Sequence, residues 1–182
     1  MKRDLSQGAA CTCMITMLLL IGCVTTPEER LRQAATDGNL RQVDALLGEG
    51  VPAHAADGRG VTPLLMAAKN GHLSVAARLL ENGASVNQPR HDGVTPLLIA
   101  VQEGRLDIVT LFLEKGTNVR VRAPLVAGIT LLHVAAHRGN QDIVRLLLDH
   151  GADKYARMTS GERPVDLARQ HGHMDLIPLL EP

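Results

Sequence analysis

Three stretches of the chain decide its fold: GVTPLLMAAKNGHLSVAARLLENGAS (Gly60–Ser85), GVTPLLIAVQEGRLDIVTLFLEKGTN (Gly93–Asn118) and GITLLHVAAHRGNQDIVRLLLDHGAD (Gly128–Asp153). They align position by position. Two weaker copies flank them, LRQAATDGNLRQVDALLGEG from Leu31 and GERPVDLARQHGHMDLIPLLEP from Gly161. The glycine in the middle of each copy falls at Gly38, Gly71, Gly104, Gly139 and Gly172, at spacings of 33, 33, 35 and 33. A fixed period of this length marks a stacked repeat array.

Within each copy the residues dictate a helical hairpin. Thr62, Thr95 and Thr130 stand where a helix needs an N-cap hydroxyl. Pro63 and Pro96 follow at the first helical position, where a missing N–H costs nothing. Short apolar helices come next, with the small Ala67, Ala100 and Ala135 allowing close approach of neighbours. Gly71, Gly104 and Gly139 end these helices. The second helix carries apolar residues at helical spacing, expected to form the core: Leu73, Ala76, Leu79 and Leu80, then Leu106, Val109, Phe112 and Leu113, then Ile143, Val144, Leu147 and Leu148. Gly50, Gly83, Gly116 and Gly151 close it. A turn segment, expected at Asp57-Gly58 and Asp92-Gly93, then projects as a finger before the next copy. No single copy can bury its apolar face, so the five must stack.

The period and the T-P-L-x-x-A pattern resemble the ankyrin-repeat family, over residues 28–182. The resemblance implies an all-α solenoid of stacked helix-turn-helix units with protruding β-turn or hairpin fingers. The implied repeats span residues 28–56, 57–89, 90–124, 125–157 and 158–182. The first lacks a preceding finger, carries Glu29, Arg30 and Arg32 on its outer face, and reads as the N-terminal cap. The fifth has Arg163-Pro164-Val165-Asp166 in place of T-P-L-H and Pro178 inside its second helix, so that helix is expected to be short, kinked or frayed. Of the family's histidines in T-P-L-H, which tie adjacent loops together, only His133 is present; Leu65 and Leu98 replace it with apolar packing. The connection from the third to the fourth copy has two extra residues and brings Pro124, Leu125 and Val126 to a finger tip. Two readings fit that tip, a tolerated surface insertion and an apolar contact for a partner.

Ahead of the array, MKRDLSQGAACTCMITMLLLIGCVTTPEER has a short basic start at Lys2 and Arg3, an apolar run densest from Met14 to Ile21, and an end at Gly22-Cys23. This is the layout of a secretory leader, and Leu20-Ile21-Gly22-Cys23 resembles a bacterial lipobox. The resemblance implies a signal peptide at 1–22, lipid on Cys23 and a short tether at 23–27. An uncleaved membrane anchor and a plain signal peptide are the other two readings. All three put the array outside the cytoplasm, on the periplasmic side of a cell envelope. Val24 after the cysteine points to the outer membrane. The three cysteines, Cys11, Cys13 and Cys23, all belong to this segment, so the array has neither thiol nor disulfide.

Composition narrows the function. Lys plus Arg and Asp plus Glu both number 19, aromatic residues are 1% and there is no Trp. That excludes a strong positive field and an aromatic platform, and with them a nucleic-acid partner. The 45% of hydrophobic residues suits a packed array. Its glycines are single and periodic, so no phosphate loop exists. His133 and His137 share an i,i+4 spacing but lack the glutamate of a zinc motif and a third ligand. His171-Gly172-His173 straddles a repeat glycine and reads as a repeat feature. Asp107, Asp142 and Asp175 recur at the first turn of the second helix, where they suit the positive helix end. No catalytic group, metal or cofactor is expected.

The remaining role is to bind a protein. The family resemblance implies that fingers and first helices form the contact face. Transferred to this chain, the finger positions are Gly58, Arg59, Val61, His91, Asp92, Val94, Val126, Ala127, Ile129, Thr159, Ser160 and Glu162. The first-helix positions are Lys69, Asn70, Gln102, Glu103, His137, Arg138, Gln170 and His171. The finger side also carries Arg90, Arg120, Arg122 and Arg157, which suggests a monomeric protein meeting an acidic patch, with Leu125 and Val126 as apolar anchors. An accessory role for a periplasmic enzyme of the catalase or oxidative-stress type, or neutralisation of a toxin, fits the same resemblance.

Overall fold

The computed structural model describes residues 25–120 and 128–181. The leader, Cys23, Arg122, Leu125 and Val126 lie outside them. The described residues form helix pairs. The first is α1 (Pro27–Asp37) with α2 (Leu40–Gly48), the second α3 (Pro63–Asn70) with α4 (Leu73–Glu81), and the third α5 (Pro96–Gln102) with α6 (Leu106–Glu114). The fourth is α7 (Leu131–Arg138) with α8 (Gln141–Asp149). In the fifth, α9 (Pro164–Gln170) precedes a 3₁₀ turn at Met174–Leu176 and α10 (Ile177–Leu180). First helices pack on first helices and second helices on second helices along the stack.

Caps set the helix boundaries. Thr62 and Thr95 each accept the N–H three residues on at 3.2 Å, from Leu65 and Leu98. Thr26 does the same for Glu29 at the start of α1, a cap that the repeat pattern does not reveal. The helices end alike. In α4 the Ala84 N–H reaches the Leu79 carbonyl at 3.0 Å and the Gly83 N–H the Leu80 carbonyl at 3.1 Å, a Schellman closure that needs the left-handed backbone of Gly83, φ 86°.

One continuous apolar core runs from Leu31 to Leu180. Alanine pairs such as Ala67-Ala68 and Ala135-Ala136 are wholly buried between first helices. In the second helices the core differs from expectation. Leu73 and Leu106 are 41% and 36% exposed, while Val75 and Ile108 are buried. The buried stripe of α4 runs through Val75, Ala76 and Leu79. At 3.6 residues per turn, Leu73 lies roughly 115° from its centre. Apolar type alone therefore overstated the stripe.

The fingers are closed turns, and among the described residues none extends into a strand. In each, one N–H bond spans four residues and another three: Asp57 to Val61 and Gly60 to Asp57, Arg90 to Val94 and Gly93 to Arg90, Met158 to Glu162 and Gly161 to Met158. The turn is thus Asp57–Gly60, equivalent to Arg90–Gly93. Gly60, rather than Gly58, is the left-handed residue. The Asp57 carboxylate holds the tip by accepting N–H bonds from Arg59 and Val61, both 2.9 Å.

The fifth pair is the weakest by construction. Arg163 offers no cap acceptor; instead Asp166 reaches back to the Arg163 N–H at 2.9 Å. Pro178 sits in the first turn of α10, and the second helix of this pair is broken into the 3₁₀ turn and α10.

Candidate protein-binding face

Fingers and first helices together form one grooved face. Adjacent fingers are joined by backbone: the His91 N–H donates to the Arg59 carbonyl at 3.1 Å. A side chain on Gly60 would meet the His91 backbone at 3.0 Å, so the second and third fingers are packed edge to edge.

His133 ties the start of α7 to the fifth finger. Its ring is fully buried. The Thr130 N–H points at Nδ1 at 3.3 Å and the Thr130 hydroxyl lies 2.8 Å from the same atom. Nε2 lies 3.1 Å from the Glu162 carbonyl. An amide can only donate and a carbonyl only accept, so Nδ1 is the acceptor and Nε2 carries the proton. With one nitrogen engaged by Thr130 and the other by Glu162 of the next repeat, His133 is not placed to share a metal with His137. At the matching position of the second pair, Leu65 is buried in a small cluster with Val61 and Ile99.

Two grooves lie between the fingers and the first helices. One, of about 390 Å³, is lined by Val61, Leu65, Met66 and Ile99 with Arg59, Lys69, Arg90, His91 and Asp92 around them. The other, of about 330 Å³, runs over the third to fifth pairs. Val94, Leu98, Ile129, Val134, Met158 and Leu167 line it, with Gln102, His133, His137 and Arg138. Among the described residues no group of three His, Cys, Asp or Glu side chains is arranged to hold a metal ion.

The candidate residues fall into three situations. Lys69, Gln102, Glu103, His137, Arg138, Gln170 and His171 are exposed at or just beyond the ends of first helices, with Asn70 half-buried among them. Arg59 and His91 are exposed on fingers and Asp92 is half-buried. Arg120 stands apart: it follows α6 rather than sitting on a finger tip, and its Nε donates to the Gly151 carbonyl at 3.1 Å. The three recurring aspartates, Asp107, Asp142 and Asp175, are all exposed on the second helices or the 3₁₀ turn.

Much of the positive charge on the fingers is matched locally. Arg59 pairs with Asp57 at 3.3 Å, and Arg90 pairs with Asp92. The Arg90 hydrogen bonds, chiefly, hold the Asp92 carboxyl down at about 2. Arg157 donates to the Gly161 carbonyl of its own finger at 2.7 Å. Among the described residues Lys69 and Arg138 form no ion pair. Unlike Arg59, Arg90 and Arg157, neither is held by its own finger, a distinction that residue type does not reveal.

The family model for ankyrin repeats in three copies matches residues 31–123, and the model for a single ankyrin repeat matches residues 127–158. No curated protein shows significant similarity to the chain.

Proposed function

The chain belongs to the ankyrin-repeat family, and from that premise we propose that it is a non-catalytic scaffold, tethered to the periplasmic side of a bacterial cell envelope, that binds a protein partner through its fingers and first helices. The observation that carries the binding reading is the row of exposed, chemically varied side chains at the first-helix ends, Lys69, Gln102, Glu103, His137, Arg138 and Gln170. These positions follow the buried Ala67-Ala68, Ala100-Val101 and Ala135-Ala136 and border two grooves with apolar floors. Their backbone is fixed by helix closures and finger-to-finger bonds, so binding orders little more than side chains.

The tether rests on the lipobox-like tetrad and the apolar run before it. Among the described residues no helix is long and apolar enough to cross a membrane. In the proposal, acyl chains on Cys23 hold the array at the membrane, and Val24 directs it to the outer one. More than one chain is needed for stable anchoring, at roughly 0.8 kcal/mol per buried CH₂.

The test is capture from solubilised native envelopes with the wild-type chain, an Arg138→Glu/Lys69→Glu variant and an Asp107→Lys/Asp142→Lys variant. A partner retained by the wild type and the aspartate variant but lost by the Arg138→Glu/Lys69→Glu variant supports the reading. Loss only on the second-helix side contradicts it.

A further inference from the structure

The groove over the third to fifth pairs has a feature that the other lacks. Two imidazoles from successive pairs touch at its rim: the His137 and His171 ring centroids are 4.0 Å apart and the planes tilt by 56°. Arg138 stands beside them without an ion pair among the described residues. The finger carboxylate of Glu162 is turned to the Ser160 hydroxyl and the Gln170 amide. Below the rim the floor is apolar, formed by Leu98, Val134, Met158 and Leu167. An apolar floor selects an apolar side chain, and a guanidinium without a local counter-ion selects a carboxylate from outside.

Resting on the reading that this face binds a protein, we propose that the groove seats one large apolar side chain of the partner while a neighbouring carboxylate of the same segment pairs with Arg138 and the His137–His171 imidazoles. The occupant is an acidic protein segment with an embedded leucine-like anchor.

The pairing makes binding proton-linked. The groups around His137 are Arg138 on its own helix, His171 and His173 from the fifth pair and Gln102 from α5. Partial desolvation, then the fields of His171, Arg138 and His173, hold the His137 imidazole below the usual histidine range. A docked carboxylate opposes that effect, so binding takes up a proton. Affinity rises as pH falls from above the ordinary histidine range into the depressed range of His137, and falls again near about 4, where the partner's carboxylate itself protonates.

Fluorescence anisotropy with the purified full chain tests this with three labelled nine-residue peptides: glutamates around a central leucine, lysines around the same leucine, and glutamates around a serine. The first peptide alone binds, and more tightly at about pH 5.5 than at about pH 7.5. Arg138→Gln weakens it about tenfold; Arg138→Lys keeps part of the binding. His137→Gln/His171→Gln binds without the pH dependence, and Arg145→Gln, exposed on the second-helix side in α8, binds as wild type. Equal binding of the lysine or serine peptide overturns the proposal. So do no binding of any peptide, a pH dependence that survives the histidine changes, or self-association of the chain abolished by Arg138→Gln, which would assign the groove to a second copy. If the envelope partner still depends on Lys69 and Arg138 while the acidic leucine peptide fails, this proposal falls and the protein-binding reading stands.

Discussion

The imidazole of His72 occupies the space that a side chain on Gly38 would need: a Cβ there would lie 2.5 Å from its Nδ1. From that position Nε2 donates to the Thr36 carbonyl at 2.9 Å, one of the orphan acceptors at the end of α1. The same step recurs along the stack. Arg105 Nε donates to the Lys69 carbonyl at 3.3 Å over Gly71, and His173 Nε2 to the His137 carbonyl at 3.0 Å over Gly139. In these three copies the residue after the repeat glycine therefore ends two helices. Its backbone N–H closes the first helix of its own pair, as His72 does to Ala67 at 3.0 Å, and its side chain caps the first helix of the pair before.

This double use predicts unequal costs for glycine substitutions. Gly116 and Gly139 are both left-handed, φ 80° and 75°, but Gly116 faces open space while a Cβ on Gly139 would lie 2.5 Å from the His173 ring. Gly116→Ala incurs only the backbone penalty, about 1–2 kcal/mol. Gly139→Ala adds displacement of the ring, about 1–3 kcal/mol more. Urea denaturation measures both, and His173→Ala should recover part of the Gly139→Ala loss. Equal costs would contradict the account.

The fifth pair should open first. Among the described residues it has a neighbour on one side only, and it lacks an N-cap hydroxyl at Arg163 and has its second helix broken next to Pro178. Native-state hydrogen exchange is expected to be faster in residues 165–181 than in residues 97–113, where neighbours cover both sides. The reverse order would sink this prediction.

Acid should loosen the same end. Burial and then positive neighbours depress the His137 imidazole, so the unfolded chain binds the proton more readily than the folded one. The contribution of the neutral His137 is present above its unfolded value, about 6.5, and is lost as pH falls below it through the depressed range. Exchange in residues 164–180 should accelerate over that window, and His171→Gln should flatten the response. An unchanged pH response in that variant would refute the coupling.

Cys23 should carry lipid in the mature protein. Cys23→Ser should yield chain that is released from membranes or stalled with its leader attached. Mass spectrometry finding an unmodified Cys23 thiol in mature, membrane-bound protein would remove the tether from the proposal.

The repeat architecture was legible because the central copies state it in local chemistry: threonine caps at Thr62, Thr95 and Thr130, a proline after the first two, and a glycine at the helix ends. Residue type also found the buried Ala67, Ala100 and Ala135 and the interruption of the last helix at Pro178. It misplaced Leu73 and Leu106, since a nine-residue helix with an apolar residue in its first turn reads as core whichever way the stack turns it. It also read Gly58 as the turn glycine, because Asp-Gly is the stronger local signal. The finger-to-finger bonds show instead that Gly60 must approach the His91 backbone. At the candidate face, sequence supplied the positions but not which charges are satisfied. That Arg59 and Arg90 meet their own fingers' aspartates, and that Arg120 meets the Gly151 carbonyl, depends on rotamers and on packing between repeats. The His137–His171 contact joins residues 34 positions apart and exists only in the stack.

The central claim is that partners meet the fingers and first helices. Site-specific photo-cross-linking in native envelopes tests it most directly, with the photoreactive residue placed singly at Gln102 or Arg138 on that face and at Asp107 or Asp142 on the second helices. The account predicts one shared cross-linked protein from Gln102 and Arg138 and none from the aspartate positions. Cross-links from Asp107 and Asp142, with Gln102 and Arg138 silent, would contradict it.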